Sequence, residues 1–229
     1  MTAAPGIAAY GRTFPLWRAA AGADWDAYTR HPFVEGLRAG SLPRACYLFY
    51  LVQDHLFLFH FARAWALVAA KAETIDEMRT AARILDTLAN EETRLHVATC
   101  AAAGIDAAAL AAAEERPATL AYTRFVLDAG WSGDSLDLLA ALAPCILGYG
   151  EIGLRLSRDG AAPYRDWIDA YGGASYQATC AEMGAFIDTM LARRLGPDPA
   201  AAPRWPALAA RFRTASRLEA EFWDMGLAA

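Results

Sequence analysis

The sequence predicts an all-α protein, and three observations favour that fold class. Leu, Ala, Arg and Glu recur at three- and four-residue spacings, Val and Ile are sparse, and no stretch alternates apolar and polar residues over the length of a strand. With 229 residues, of which 56% are hydrophobic, the chain can bury a large core and is not expected to be disordered. We find no internal repeat and no boundary between domains, so we expect one helical domain over residues 1–229.

The first third of the chain predicts two shorter helices followed by a long one. The first covers about Tyr10 to Tyr28 and ends at the HPF triplet, because the residue before a proline disfavours the helical conformation. The second ends at Gly40, and Ser41 is the expected N-cap of the third. This third helix runs through YLFYLVQDHLFLFHFARAWALVAAKA, which is apolar on nearly every side, so we expect it at the centre of the core.

Helical periodicity continues through the rest of the chain, interrupted by glycine and proline. The breaks are expected at Gly130, at the Gly-Asp-Ser turn 133–135, at the Tyr-Gly-Gly triplet 171–173 and in the linker GPDPAAAPRWP. The predicted helices cover about Ile75–Ala103, Thr119–Asp128, Ser135–Arg158, a segment from near Pro163, Ser175–Arg194 and Ala207–Met225.

Charge and cysteine usage limit the classes of partner. The chain has 26 acidic and 21 basic residues, so its net charge of -5 offers little attraction to nucleic acid or to anionic membranes, and we expect neither as a partner. The longest strongly apolar uncharged run, Leu138–Gly150, is shorter than the roughly 20 residues of a membrane span. The first residues do not resemble a signal peptide, and the four cysteines form no CxxC pair, so we expect a cytoplasmic protein with reduced thiols.

Two side chains in apolar helices are candidates for chemistry. Cys145 follows a proline and precedes Tyr149 by four residues; a cysteine in such a helix is also often just a small hydrophobic residue. Asp54 lies in the aromatic run of the long helix, where an unpaired carboxylate would cost several kcal/mol. It must therefore face a partner or a cavity, and a salt bridge to an arginine such as Arg63 is the structural alternative.

A second carboxylate lies in the last predicted helix. Glu219 precedes Phe222 and Trp223 by three and four residues, which places it on or beside an aromatic face; a solvated glutamate is the alternative. A thiol, two carboxylates and several tyrosines could converge on one polar-lined pocket, although sequence spacing alone does not show that they do.

Several segments, in order, resemble the TenA family, also called thiaminase II or aminopyrimidine aminohydrolase. They are WDAYTRHPFVEGLRAGSLP, YLVQDHLFLFHFARA, NEETRLH, LAYTRF, LAPCILGYGEIG, WIDAYGG and LEAEFWDM, and together they extend over almost the whole chain. The specific features are HPFV with QD some twenty residues later, PC before a Tyr-Glu stretch, YGG, and a Glu before a Phe-Trp pair.

The resemblance implies an all-helical fold like that of haem oxygenase, a homotetramer, and one pocket per subunit for a methyl-aminopyrimidine, with no cofactor and no metal. It implies hydrolysis at the exocyclic methylene to give hydroxymethylpyrimidine for thiamin salvage. The family's nucleophile falls on Cys145 and its pocket carboxylates on Asp54 and Glu219. Its pocket tyrosines fall on Tyr122 and Tyr171, and Tyr149 also matches a family aromatic. The side chains expected to stack on the ring or form the pocket wall are Phe57, Phe222 and Trp223; plain core packing is their alternative role.

The chemistry explains why a thiol and two carboxylates are needed. An amine on the methylene of an aminopyrimidine leaves poorly unless a thiolate first adds to the ring, which lets the ring electrons expel the amine before water adds. One carboxyl group can protonate a ring nitrogen and another the departing amine, although the sequence does not assign which does which.

Three positions depart from the common family pattern. Phe57 stands where many members have tyrosine, Ile146-Leu147-Gly148 where a Tyr-Trp pair is common, and Gly150 where an aromatic residue is frequent. These changes remove a hydroxyl group and ring surface, so we expect a larger pocket or one that recognises a different substituent.

Three other functions remain open at this point. Glu92 and His96 have the spacing of carboxylate and histidine ligands in di-iron oxidases, with His55 and His60 nearby, but a second complete ligand set is missing from the sequence. We expect Glu92 and His96 to form a structural hydrogen bond. A transcriptional regulator would need a basic recognition helix, which we do not find. The third alternative function is that of a protein that binds a pyrimidine without turnover.

Overall fold

The computed structural model describes residues 6–87, 93–160 and 162–229 and confirms the all-α prediction. These residues form helices and connecting turns, with no strand among them. The helices are α1 (Thr13–Ala21), α2 (Ala23–Thr29), α3 (Pro32–Ala39), α4 (Arg44–Ala70), α5 (Ile75–Thr87), α6 (Thr93–Ala102), α7 (Ala107–Ala112), α8 (Pro117–Ser132), α9 (Ser135–Ala143), α10 (Tyr149–Leu156), α11 (Arg165–Gly172), α12 (Ala174–Leu195) and α13 (Trp205–Leu227). A π-helical turn at Pro144–Gly148 joins α9 to α10.

The chain divides into two compact units. Unit 1 consists of the described residues within Met1–Leu42 and Leu139–Ala220, and unit 2 consists of those within Pro43–Leu138 and Glu221–Ala229. The prediction of one domain over residues 1–229 stays a prediction.

In unit 1, α10 packs against α2, α11 and α12. Three carboxyl groups link α1 to α10 and α12, and α3 to α10. Asp188 accepts hydrogen bonds from the backbone N–H groups of Arg12 and Thr13 at 2.7 and 2.9 Å. Glu151 pairs with Arg18 at 2.9 Å, and Glu35 pairs with Arg155 at 2.7 Å.

In unit 2, the long helix α4 packs against α5, α6 and α8. Its buried residues lie on nearly every side, as its apolar sequence predicts, and they include the polar side chains of Gln53 and Asp54. Gln53 accepts hydrogen bonds from the Arg116 N–H and the Thr119 hydroxyl and donates one to the Glu114 carbonyl, so it holds the start of α8 against α4.

Two predicted helix starts and stops are wrong for local reasons. The predicted first helix is two helices, because Gly22 adopts a positive φ of 56° that ends the hydrogen-bond ladder of α1. Ser41 is not an N-cap, since α4 begins at Arg44 directly after Pro43. The second predicted helix ends as expected, with Gly40 at a left-handed φ of 70°.

Gly130 does not end a helix. It lies inside α8, where an added Cβ would meet Leu67 at 2.8 Å and Leu138 at 3.0 Å, so its small size serves close packing. The predicted helix over Ile75–Ala103 is described as α5 and α6, and residues 88–92 lie outside the described residues. The short helix α7, capped by the Asp106 side chain, was not predicted.

The continuous helical run Ser135–Leu156 has 22 residues and is longer than the uncharged apolar run Leu138–Gly150 that the sequence analysis compared with a membrane span. By length and composition alone these 22 residues could cross a membrane, but 83% of their most apolar window is buried inside the protein. A helix that is apolar all round and buried in this way is typical of a protein core.

Candidate active site

In unit 2, Asp54 is anchored through one of its two oxygens. Its Oδ2 atom lies 2.6 Å from His96 Nε2 and accepts a hydrogen bond from the Tyr50 hydroxyl at 3.2 Å. No described residue donates a hydrogen bond to Oδ1. The alternative of a salt bridge between Asp54 and Arg63 is wrong, because Arg63 instead contacts the ring of His60. A buried carboxylate with one oxygen fixed and the other available is suited to bind a donor of a ligand.

His96 is 1% exposed, and its ring contacts the Asp54 carboxylate. The predicted hydrogen bond between Glu92 and His96 lies outside the described residues. Within the described residues, no group of three or more His, Cys, Asp and Glu side chains is arranged to hold a metal ion. Next to Asp54, burial holds the pKa of His55 below its ordinary value, and His96 lowers it further while Asp54 opposes this shift.

An aromatic cluster lies one turn along α4 from Asp54. The Phe57 ring lies 4.8 Å from that of Tyr122 and 5.9 Å from that of Phe222. The Tyr50 ring lies 5.1 Å from Trp223 and 6.2 Å from Phe222. The structure therefore brings together four of the predicted residues of unit 2 with Asp54: Phe57, Tyr122, Phe222 and Trp223.

In unit 1, Cys145 lies in the π turn between α9 and α10. It is partly accessible, whereas every other residue from 135 to 153 is buried. Pro144 has no N–H group and cannot continue the α-helical ladder. π turns are rare in proteins, and those that occur often lie at functional sites. Cys145 is therefore not a fully buried core residue, and its role as nucleophile stays a prediction.

Tyr149 and Tyr171 also lie in unit 1 and contact each other. Their ring centroids are 4.9 Å apart, and the Trp167 ring lies 4.6 Å from Tyr171 and 5.9 Å from Tyr149. The Gln177 amide donates hydrogen bonds to the carbonyls of Tyr171 and Gly150 at 2.9 Å. Gln177 thus links the end of α11 to the helix that follows Cys145.

Glu219 lies in α13 and is 2% exposed, so its interpretation as a solvated glutamate is wrong. Of the predicted site residues, one group lies in unit 2 around Asp54 and the other lies in unit 1 with Cys145, Tyr149, Tyr171 and Glu219. Their convergence on one pocket stays a prediction.

Comparison with known proteins decides the family. A model of the TENA/THI-4/PQQC family matches residues 18–229. The chain belongs to this family. A solved structure described as a TenA family transcription regulator, from Silicibacter sp. TM1040, has a TM-score of 0.94 and 54% identity, covering 96% of this chain and 98% of that one.

Two relatives of the family extend the comparison. An aminopyrimidine aminohydrolase of Halalkalibacterium halodurans is 37% identical over 208 residues, 88% of this chain and 89% of that protein. A protein of Haemophilus influenzae is 38% identical over 207 residues, 89% of this chain and 93% of that protein. The sequence-based assignment to the TenA family is confirmed.

The departures from the TenA pattern do not leave empty space at Gly148 and Gly150. An added Cβ would lie 2.3 Å from the Tyr28 ring at Gly148, and 2.4 Å from Cys180 Sγ at Gly150. Side chains from α2 and α12 occupy the volume at these two positions, and the expectation of a larger pocket or of a different substituent stays a prediction. At Phe57 the ring is kept and only a hydroxyl group is missing.

Sequence reasoning missed three contacts of candidate site residues: those of Tyr50 and His96 with Asp54, and that of Tyr28 with the turn that carries Cys145. Tyr50 precedes Asp54 by four residues, so helical spacing was the available signal. Tyr28 donates a hydrogen bond to the Pro144 carbonyl at 3.2 Å, and because 116 residues separate these two, no local pattern indicates the contact.

Proposed function

We propose that this protein is an aminopyrimidine aminohydrolase that replaces the amino group of an aminomethylpyrimidine with a hydroxyl group by covalent catalysis at Cys145. The observation that carries the proposal is the placement of Cys145: it is the partly accessible residue of the otherwise buried stretch 135–153 and lies in a π turn. The sequence resemblance aligns it with the TenA nucleophile. Membership of the TenA family and 37% identity to a relative named for this reaction support it.

The reaction needs no redox partner. The Cys145 thiolate forms a C–S bond to the ring carbon next to the substituted carbon while a ring nitrogen takes a proton. The ring electrons then break the exocyclic C–N bond, and the protonated amine leaves as ammonia. Water adds to the exposed methylene and gives up a proton, the ring nitrogen loses its proton as the C–S bond breaks, and the thiolate is regenerated. The net change is one water consumed and one ammonia released.

Asp54 and Glu219 supply the proton transfers in this proposal. Asp54 is suited to contact the ring because its Oδ2 is held by His96 and Tyr50, while Oδ1 can accept hydrogen bonds from the amino group and ring N–H of an aminopyrimidine. Phe57, Phe222 and Trp223 offer ring faces for stacking, and Tyr122, Tyr149 and Tyr171 offer hydroxyl groups.

The test is an assay of the purified protein on two substrates. 4-Amino-5-aminomethyl-2-methylpyrimidine and thiamin are supplied separately, and hydroxymethylpyrimidine is quantified by chromatography together with released ammonia. We expect equimolar hydroxymethylpyrimidine and ammonia from the aminomethyl compound. Binding of the pyrimidine without release of either product contradicts the proposal and supports a binding protein without turnover.

A transcriptional regulator is the second candidate function, since the structure with 54% identity carries that description. The net charge of -5 opposes contact with a phosphate backbone. An electrophoretic shift of duplex DNA at nanomolar protein, lost at high salt, would favour this function over hydrolysis.

We infer that the protein acts in thiamin salvage in the cytoplasm as a homotetramer. Reduced thiols fit that compartment, since the four cysteines form no disulfide with one another. Large apolar side chains remain exposed on the described monomer, with Trp131 74% and Phe59 55% accessible, and surfaces of this kind are often covered by subunit association.

A further inference from the structure

The π turn that carries Cys145 is held by side chains from two other helices of unit 1. The Tyr28 hydroxyl, from α2, donates to the Pro144 carbonyl at 3.2 Å. The Ile146 carbonyl accepts hydrogen bonds from the Tyr176 hydroxyl at 3.4 Å and the Cys180 thiol at 3.6 Å, both from α12. The carbonyls on either side of Cys145 are thus both bonded to side chains from outside the turn.

Tyr28 also fits the turn by shape. Its ring passes so close to Gly148 that a Cβ there would lie 2.3 Å from Cε1, and Tyr28 is fully buried. Tyr28 therefore contacts both ends of the same five-residue turn: its hydroxyl group donates to Pro144, and its ring edge and hydroxyl group lie against Gly148. A π turn is rare compared with an α-helix, and side-chain hydrogen bonds to backbone groups compete with the helical ladder, so contacts of this kind can decide which helical register is populated.

We propose that Tyr28 is a positioning residue for Cys145, and that its hydrogen bond to the Pro144 carbonyl keeps the turn in the π register in which the thiol is accessible. In an α register the side chains of the turn rotate about the helix axis. Because every neighbour of Cys145 in this run is buried, such a rotation moves the thiol toward packed surface. The inference rests on the proposed role of Cys145 as nucleophile.

The test compares two tyrosine hydroxyl deletions of matched chemistry. Tyr28→Phe removes the hydrogen bond to Pro144 and keeps the ring on Gly148. Tyr164→Phe is the control, because the Tyr164 hydroxyl is also buried in unit 1 and also donates to a backbone carbonyl, that of Leu42. Iodoacetamide alkylation of the Cys145 peptide is followed by mass spectrometry from pH 6 to 10, and kcat and KM are measured on the aminomethylpyrimidine.

We expect Tyr28→Phe to lower the limiting alkylation rate of Cys145 about threefold to tenfold, the range that one buried hydrogen bond can supply, without moving the pH of half-maximal rate. kcat should fall by a similar factor at unchanged KM, and Tyr164→Phe should alter neither rate. Equal alkylation rates in Tyr28→Phe and the unmodified protein, or equal losses in both variants, overturn the inference. Alkylation does not depend on turnover. A protein without activity would therefore contradict the proposed function, while the alkylation rates would still test the role of Tyr28.

Discussion

At the scale of single residues, Asp54 shows how a buried carboxylate is kept ready for a ligand. Both of its donors, His96 and Tyr50, bind Oδ2, so the charge is partly compensated while Oδ1 keeps its capacity to accept. In the proposed reaction the buried Glu219 is the second carboxyl group. Their division of labour can be tested through the leaving group, because the substrate's amino group must be protonated to leave as ammonia, whereas the thiazole of thiamin leaves as a neutral ring.

We predict that Asp54→Asn and Glu219→Gln each lower kcat on the aminomethylpyrimidine by about 10²- to 10⁴-fold, the usual range for loss of an acid-base group. The variant that lacks the leaving-group acid should retain far more of its turnover on thiamin than on the aminomethyl compound. The measurement is the ratio of kcat on the two substrates. Identical ratios in both variants and the unmodified protein would show that neither carboxyl group protonates the leaving amine.

Gly150 gives a prediction about packing. We expect Gly150→Ala to lower the free energy of unfolding by about 1–3 kcal/mol, because the added Cβ would lie 2.4 Å from Cys180 Sγ and 2.7 Å from the Tyr10 hydroxyl. Urea denaturation measures the loss. Gly6→Ala is the control, since nothing lies within 4 Å of its added Cβ. In a double variant with Cys180→Ala, part of the loss should be recovered; additive losses would contradict this explanation.

At the scale of elements, the helical run from α9 to α10 was predictable in extent but not in register. Its ends, near Ser135 and Leu156, follow from turn signals and periodicity. The π turn contains Pro144 and is contacted by Tyr28 and by α12 side chains that are distant in sequence. Gly22 and Gly130 show the same limit. Gly22 ends a helix because its φ is positive. Gly130 lies inside a helix because Leu67 and Leu138 pack against it.

Within α10, Glu151 gives a prediction of pH dependence. Burial raises its pKa above the ordinary value of 4.5, although Arg18 and the Trp25 indole N–H oppose the shift. The unfolded chain then loses its proton at lower pH than the folded chain, so this carboxyl group's contribution to the free energy of unfolding falls as pH rises from 4.5 through the raised pKa.

We therefore expect the free energy of unfolding of the native protein to decrease relative to that of Glu151→Gln over this pH range. Glutamine keeps an acceptor for the Trp25 indole N–H, which lies 3.2 Å from Glu151 Oε2, and it cannot ionise. Urea denaturation at several pH values between 4 and 8 gives the difference. A difference that does not change with pH, or one that changes in the opposite direction, contradicts the assigned shift.

At the scale of the whole molecule, the family and most of the candidate site residues could be predicted because motifs carry them. HPFV, QD, PC, YGG and the Glu before Phe-Trp are local patterns, and the match over residues 18–229 confirms the assignment they gave. Contacts between distant segments could not be predicted. The His96 contact with Asp54 and the filling of the volume beside Gly150 by Cys180 depend on packing that no spacing in the sequence indicates.

Subunit association gives a prediction at this scale. Light scattering coupled to size exclusion should show a mass near four times the 24.7 kDa of one chain. The mass should hold on dilution to low micromolar protein. A mass of one chain across that range would contradict the homotetramer.

The measurement that tests the central claim most directly is turnover of 4-amino-5-aminomethyl-2-methylpyrimidine by Cys145→Ser beside Cys46→Ser. Cys46 is a buried thiol near the C-terminal carbonyls of Leu227 and Ala229, at 3.7 Å, contacts that a serine hydroxyl can keep. We predict that Cys145→Ser retains less than about a tenth of the rate, with an unchanged circular dichroism spectrum, while Cys46→Ser stays close to the unmodified protein. Retention of most of the rate by Cys145→Ser would contradict covalent catalysis at Cys145.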